Sequence, residues 1–182
     1  SMTSTMQTLI AGVCQAAFGC EKADNRRQAV DLVRRAADQG ATLIALPEMA
    51  CWWGELSELK RNAETADGPW MSAMRDLAAE LKIWLAAGSF PLVSDDAAGR
   101  VWNAAPLIAP TGDVAGLAKK RHMFDVAVPG GPNVRESDYQ LPGGQPFRCD
   151  TPIGRIGIAV CYDVRFPEDF RQMIADGGLD IL

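Results

Sequence analysis

Short apolar runs alternate with amphipathic segments along the first half of the chain. Three segments are apolar over the length of a strand: TLIAGVCQ (8–15), ATLIALPE (41–48) and IWLAAGSF (83–90). Residues 24–40 and 67–83 instead carry apolar side chains at intervals of three and four, which is the period of a helix. Gly40 is suited to end the first helix and Pro69 to begin the second. This order predicts βαβ units on a largely covered sheet.

The rhythm changes in the second half of the chain. Residues 101–120 predict two strands around a Pro-Thr-Gly-Asp turn, and residues 147–161 predict a hairpin that turns at Ile153-Gly154. Between them lies a Gly/Pro-rich loop, 124–147, and loops of this length are often functional. A helix that begins near Pro167 is expected to continue to a Gly-Gly pair, after which LDIL resembles the start of another strand.

Length and composition favour a single α/β domain over residues 1–182. Hydrophobic residues make up 48% of the chain and charged residues 23%, an ordinary globular composition. Ser1-Met2 is interpreted as a cloning remnant. No apolar run is long enough to span a bilayer, and the apolar stretch near the start has no basic residue before it, so no signal peptide is predicted. Since the sequence stops where a strand begins, we expect a C-terminal part of the domain to be missing.

Charge and cysteine content narrow the functional classes. The net charge is −5, and the densest basic cluster, AKKRH (118–122), is too short to follow a phosphate backbone, which argues against a nucleic-acid partner. The five cysteines have irregular spacings, which predicts reduced thiols and a cytoplasmic location. With one histidine and no C-x-x-C, a structural zinc site is not expected.

Three residues that could carry chemistry lie at the ends of predicted strands. Glu48 follows one buried strand, Lys120 ends a hairpin strand, and Cys161 lies where a strand passes into a helix. α/β proteins commonly place their sites in such loops. Together the three could perform acyl transfer: the thiol attacks a carbonyl, the carboxylate takes the thiol proton and the ammonium stabilises the oxyanion.

Each of these residues also has a structural interpretation. Glu48 could cap a turn, Lys120 could be a solvated surface lysine, and Cys161 could be a small core residue. His122 could suggest a Cys–His pair, although a structural hydrogen-bonding role is the more ordinary one. Two Gly-Gly pairs, at 130–131 and 143–144, lack the setting of a phosphate loop and are interpreted as turns. Spacing alone leaves these alternatives open.

Four motifs decide between them. LPEM (46–49), KKRHMFD (119–125) and GIAVCYDVRFPE (157–168) occur in the order found in the carbon–nitrogen hydrolase family, also called the nitrilase superfamily, and RESDYQLPGG (135–144) is similar to its Glu-containing loop. The resemblance covers residues 8–182. It implies that Glu48 is the general base, Lys120 the catalytic lysine and Cys161 the nucleophile. Glu136 matches a second glutamate that helps to position substrate and lysine.

The resemblance also implies an architecture. Members of this family form a four-layer α-β-β-α sandwich and pair into homodimers or larger homo-oligomers, so the same is expected here, without the C-terminal part. No metal or organic cofactor is implied. The oxyanion is expected to bind Lys120 and the backbone N–H of Tyr162. One departure is Ala118-Lys119, where Tyr-Arg is more usual, and we expect this to alter packing more than chemistry.

The substrate is implied less sharply than the mechanism. The motifs most resemble the branch with omega-amidases and deaminated-glutathione amidases, which suggests hydrolysis of a small ω-amide of a carboxylic acid through a thioester, with ammonia release. The alternatives are an N-carbamoyl amino acid, a nitrile, or a non-catalytic assembly subunit on the same scaffold. Trp52 and Trp53 could line the entrance or pack within a loop. No nucleic-acid or membrane partner is expected.

Overall fold

A computed structural model describes residues 8–182, so the interpretation of Ser1-Met2 lies outside the described residues. The helices there are α1 (Lys22–Asp38), α2 (Leu59–Asn62), α3 (Pro69–Leu81) and α4 (Pro167–Ala175). The strands are β1 (Ala11–Val13), β2 (Leu43–Leu46), β3 (Trp84–Ala87), β4 (Phe90–Leu92), β5 (Trp102–Ile108), β6 (Val114–Lys119), β7 (Asp125–Ala127), β8 (Asn133–Arg135), β9 (Phe147–Thr151) and β10 (Gly154–Ile158). Short 3₁₀ turns cover Leu56–Glu58, Glu136–Asp138 and Cys161–Arg165.

The main sheet confirms the βαβ prediction for the first three strands. β1, β2 and β3 run parallel, with α1 as the crossover between the first two and α3 before the third. β5 pairs antiparallel with β3 and β4 along one edge and with β6 along the other. The predicted Pro-Thr-Gly-Asp turn joins β5 to β6. The predicted hairpin forms from β9 and β10, but its turn is at residues 152–153, one residue earlier than predicted, because Gly154 already pairs with Thr151. Parallel strands therefore bring their carboxyl ends, including the end of β2, to one edge of the sheet.

The prediction of one strand over residues 83–90 is wrong, because the run divides into β3 and β4. Gly88 has a positive φ of 62°, which turns the chain out of the strand. A Cβ at this position would lie 2.3 Å from the carbonyl oxygen of Pro47. The close approach of these two segments, which propensity does not encode, is the reason for the break.

Four layers are stacked on one another. Helices α1 and α3 cover one face of the main sheet and form the large core with it, to which Val33, Trp70 and Met74 contribute. The β9–β10 hairpin packs on the opposite face through a second cluster that includes Leu43, Leu107 and Ile156. Helix α4 lies beyond the hairpin, so that a Cβ on Gly157 would lie 2.8 Å from Met173 Sδ. The order helix, sheet, sheet, helix is the predicted sandwich.

Three smaller features refine the predictions. The first strand is shorter than predicted, since only Ala11–Val13 pairs with a neighbour. The long loop contains a hairpin, β7 and β8, which the alternation of the sequence did not reveal because each strand has three residues. At the end of the chain, Ile181 forms a parallel bridge with Ile156, which agrees with a strand beginning there. None of the helices among residues 8–182 has the length and hydropathy of a membrane span.

Candidate active site

Glu48 is separated from the end of β2 by one residue and lies in a turn with little freedom to move. The next residue, Met49, has a left-handed φ of 54°, and its N–H donates a hydrogen bond of 2.8 Å to the buried Ser89 Oγ. The carbonyl of Pro47, on the other side, packs against Gly88. Backbone strain of this kind costs about 1–3 kcal/mol and persists only where neighbouring contacts impose it. Contacts with the segment between β3 and β4 thus fix the orientation of the Glu48 carboxylate.

Lys120 lies directly after β6 and is fully buried. Its backbone N–H donates to the carbonyl oxygen of Asn103 over 2.9 Å. Its Nζ lies 3.3 Å from Glu48 Oε1 and 2.8 Å from Glu136 Oε2. Burial alone would lower the pKa of this ammonium, but the charges of the two carboxylates outweigh it and raise the pKa. Lys120 is therefore a permanent buried cation, and the surface-lysine interpretation is wrong.

Glu136 lies at the start of the 3₁₀ turn that follows β8. Its carboxylate contacts Lys120 through both oxygens, at 3.0 and 2.8 Å, and accepts a 2.7 Å hydrogen bond from the Phe124 N–H. Glu136 consequently connects the loop after β6 to the β7–β8 hairpin. The negative charge of Glu136, together with that of Glu48, stabilises the buried Lys120 ammonium.

Asn103, on β5, belongs to the site although the sequence analysis missed it. Its Nδ2 donates a 2.8 Å hydrogen bond to Glu48 Oε1, and the side chain is buried. Lys120 contacts the same oxygen, so Oε2 stays available to receive a proton. The sequence signal for Asn103 is that it is the second residue of a seven-residue strand and the only polar residue in that strand.

Cys161 is the first residue of the 3₁₀ turn after β10 and has a left-handed φ of 50°. Its thiol lines the same cavity as Glu48 and lies within the electrostatic influence of that carboxylate and of Lys120. Partial desolvation and the Glu48 charge raise the pKa of the thiol, and Lys120 lowers it by less than they raise it. The sulfur is therefore protonated in the resting site, beside a carboxylate that can accept its proton.

An open cavity of about 610 Å³ gives access to this group, and Glu48, Glu136 and Cys161 all line it. Arg135 is the one cationic side chain among its described lining residues, with Glu55 and Asp138 as further carboxylates. The two tryptophans separate: Trp52 is buried in the core, whereas Trp53 is exposed and lines the cavity. Each alternative offered for this pair thus holds for one of them.

The remaining candidates have structural roles. His122 contacts Asp163 through Nδ1 at 2.9 Å and stacks on Phe166, so it does not form a pair with Cys161. Gly130-Gly131 turns between β7 and β8, and Gly143 packs against the carbonyl of Lys119, as turns rather than phosphate loops. All five cysteines are free. Among residues 8–182, no group of three or more His, Cys, Asp or Glu side chains is arranged to hold a metal ion.

The electrostatics predict that removal of the Glu48 charge makes the resting Cys161 thiol more reactive, although Glu48 is the candidate base. Glu48→Gln removes a negative charge that raises the pKa of Cys161, so alkylation of that thiol by iodoacetamide near neutral pH should become faster. Lys120→Met should make it slower, and each unit of pKa corresponds to about tenfold in thiolate. Alkylation is measured by mass spectrometry of the Cys161 peptide.

Cys51 supplies the internal standard for this measurement. Its thiol is fully buried, and desolvation raises its pKa to about 12, so it should stay unmodified in every variant. Slower alkylation of Cys161 in Glu48→Gln would show that the carboxylate activates the resting thiol, contrary to the geometry described above.

Comparison with known proteins gives a consistent result over almost the whole chain. The family model described as Carbon-nitrogen hydrolase matches residues 10–182. The chain is 33% identical over 177 residues to omega-amidase NIT2 of Mus musculus, covering 97% of the chain and 63% of that protein. It is 33% identical over 188 residues to deaminated glutathione amidase of the same organism, covering 100% of the chain and 57% of that protein. The chain thus spans about three-fifths of the length of these relatives.

The fold is also similar to that of a solved structure. Saccharomyces cerevisiae Nit3, described as a member of branch 10 of the nitrilase superfamily, superposes with a TM-score of 0.82 over 95% of the chain and 62% of its own length, at 21% identity. This confirms the predicted sandwich architecture.

Proposed function

The chain belongs to the carbon–nitrogen hydrolase family, and on that premise we propose that it hydrolyses an amide through a thioester on Cys161. The observation that carries the proposal is one cluster: Cys161 and Glu48 line the same cavity, and a fully buried Lys120 ammonium lies between Glu48 and Glu136. A nucleophile, a base and a fixed cation are the groups that acyl transfer needs.

The first half of the reaction forms the acyl-enzyme. Cys161 Sγ bonds to the amide carbon while its proton passes to Glu48 Oε2. The carbonyl electron pair moves onto oxygen, where Lys120 Nζ and the backbone N–H of Tyr162 stabilise the charge. Tyr162 is the second residue of a 3₁₀ turn, and the first N–H groups of such a turn lack acceptors within it. Collapse of the intermediate breaks the C–N bond, and Glu48 returns the proton to the departing ammonia.

The second half releases the acid. Glu48 takes a proton from water, whose oxygen attacks the thioester carbon, and the same two donors hold the second oxyanion. The C–S bond then breaks, and the proton on Glu48 returns to the thiolate. Because the pKa of Cys161 is raised in the free site, the thiolate forms only as it attacks. This favours transfer to Glu48 during attack over a preformed thiolate.

The proposed substrate is a small amide that carries a carboxylate at its other end. Two of the relatives are an omega-amidase and a deaminated glutathione amidase. Arg135 supports the choice, because it is the cation available in the cavity and its contact with Asp138, at 3.1 Å, joins two largely exposed side chains. Exposed ion pairs are worth about 0–1 kcal/mol, so a substrate carboxylate can replace Asp138.

The experiment that tests this function is ammonia release from a panel. It contains ω-amides with a free carboxylate, neutral amides of the same length, N-carbamoyl amino acids and nitriles. The proposal predicts the highest kcat/KM for the carboxylate-bearing amides. Preference for nitriles or carbamoyl compounds would replace the substrate class, and no turnover of any compound would favour a non-catalytic assembly subunit.

Two substitutions at the cavity mouth are expected to move KM in opposite directions. Arg135→Gln should raise KM for a carboxylate-bearing amide about tenfold, through loss of a charge-assisted contact, whereas Asp138→Asn should lower it by freeing the guanidinium. The neutral amide is the matched control, and its KM should change little in either variant. Equal effects on both amides would show that Arg135 does not bind the carboxylate.

The proposal also covers the cellular compartment and the oligomeric state of the enzyme. Five free cysteines fit a reducing compartment, so we place the protein in the cytoplasm. We also propose a homodimer or larger homo-oligomer, as the family resemblance implies. Light scattering of the purified protein tests this, and a monomer at micromolar concentration would contradict it.

A further inference from the structure

Asp163 is a buried carboxylate that accepts hydrogen bonds from two separate segments of backbone. Its Oδ2 accepts the N–H of Val160 over 3.0 Å. Its Oδ1 accepts the N–H of Arg121 over 3.2 Å and the N–H of His122 over 2.9 Å, and the His122 ring adds a contact through Nδ1. Only 5% of the side chain is exposed. One side chain therefore joins a strand end to a loop 41 residues away in sequence.

The two segments are those that carry the nucleophile and the cation. Val160 immediately precedes Cys161, and Arg121 immediately follows Lys120. The N–H of Asp163 also donates to the Val160 carbonyl over 3.1 Å, so backbone and side chain together close the turn around Cys161. A left-handed φ at a non-glycine residue requires such contacts to persist, and the two hydrogen bonds between Asp163 and Val160 flank Cys161 directly.

Asp163 lies where it can position the catalytic residues without contacting the substrate. Asp163 is not among the described residues that line the cavity, so it does not reach the substrate. Asp169, 7% exposed, is nearby and holds the Arg121 side chain at 2.7 Å and the His122 ring at 3.6 Å. Its carboxylate contacts these side chains rather than the backbone that carries Lys120 and Cys161. Asp169 is thus a matched control of equal charge and similar burial.

We propose that Asp163 is a positioning residue that sets the separation of Cys161 Sγ and Lys120 Nζ by holding the backbone of both segments. The proposal rests on the proposed function, because this separation matters for turnover only when Lys120 binds the oxyanion that Cys161 creates. Misplacement of reacting groups by about 1 Å can cost about 10²-fold in rate. Asp163→Asn should loosen the pair, since the amide keeps one acceptor but places an NH₂ group against backbone N–H groups.

The first test measures coupling between the two residues without any substrate. The pH midpoint of Cys161 alkylation by iodoacetamide is determined with and without Lys120→Met. In the otherwise unchanged protein, removal of the ammonium should shift the midpoint upward. In the Asp163→Asn background, Lys120→Met should shift the pH midpoint by less than about half of the shift seen in the otherwise unchanged protein. The reason is that the cation is no longer held beside the thiol. In the Asp169→Asn background the full shift should remain.

The second test measures turnover of a carboxylate-bearing amide. Asp163→Asn should lower kcat about 10²-fold with little change in KM, whereas Asp169→Asn should leave both within about threefold. Asp163→Glu, which keeps the charge but displaces both oxygens, gives the same readouts if the asparagine variant fails to fold. An undiminished coupling in both Asp163 variants would overturn the proposal. Absence of turnover in the unchanged protein would refute the function and leave the coupling test standing.

Discussion

Replacement of Cys161 by alanine is expected to abolish ammonia release, with a loss in kcat of at least about 10⁴-fold, as for other enzymes that lose their nucleophile. The reason is specific to this site. Glu48, Asn103 and Lys120 remain in place, but no described side chain supplies another thiol to the cavity. The rate is measured as ammonia released by the purified protein from its preferred amide.

The matched control for this substitution is Cys20→Ala. Cys20 is the other exposed thiol, and it does not line the cavity that contains Glu48 and Glu136. Its removal should change kcat by less than about twofold, because Cys20 is a surface residue outside the catalytic cavity. Comparable turnover by the Cys161→Ala variant would refute the thioester mechanism, since Glu48 alone would then be activating water.

Lys120→Met is expected to lower kcat by about 10²–10³-fold, the usual result of removing one oxyanion donor. It should also destabilise the fold by about 3 kcal/mol, because it leaves two largely buried carboxylates, Glu48 and Glu136, facing each other without their cation. Methionine nearly preserves the shape of the side chain, so the effects report the charge. Urea denaturation measures the free energy of unfolding, and ammonia release measures kcat.

Lys119→Met provides the comparison for this pair of effects. Lys119 is the adjacent residue, and its Nζ lies 4.0 Å from the centre of the Trp102 ring rather than in the site. Loss of such a cation–π contact costs about 0.5–1 kcal/mol, and kcat should be nearly unchanged. If the two lysine variants were equally active, Lys120 would have a structural role only.

Much of the fold follows from local pattern. The helical period predicts α1 and α3 closely, and the Pro-Thr-Gly-Asp turn predicts the β5–β6 hairpin. The division of residues 83–90 into two strands does not follow from the apolar run itself. It depends on the packing of Gly88 against Pro47, which are distant in sequence. The three-residue strands β7 and β8 are likewise too short for alternation to mark them.

The candidate site shows the same division between local and distant causes. Glu48, Lys120 and Cys161 are predicted from their positions at strand ends together with the family resemblance. Asn103 is not, because its contact with Glu48 joins residues 55 apart in sequence. The pKa of the Cys161 thiol is also beyond sequence reasoning. A nearby lysine predicts a lowered value, whereas partial burial and the Glu48 charge together raise it.

The thioester on Cys161 is detected most directly by the mass of the Cys161 peptide after rapid acid quench of a single turnover with the preferred amide. We expect an adduct on that peptide equal in mass to the amide minus ammonia, and none on the four other cysteines or in the Cys161→Ala variant. The adduct should form and decay at rates that account for turnover. Ammonia release without any acyl group on Cys161, or with an acyl group on another residue, would contradict hydrolysis through a Cys161 thioester.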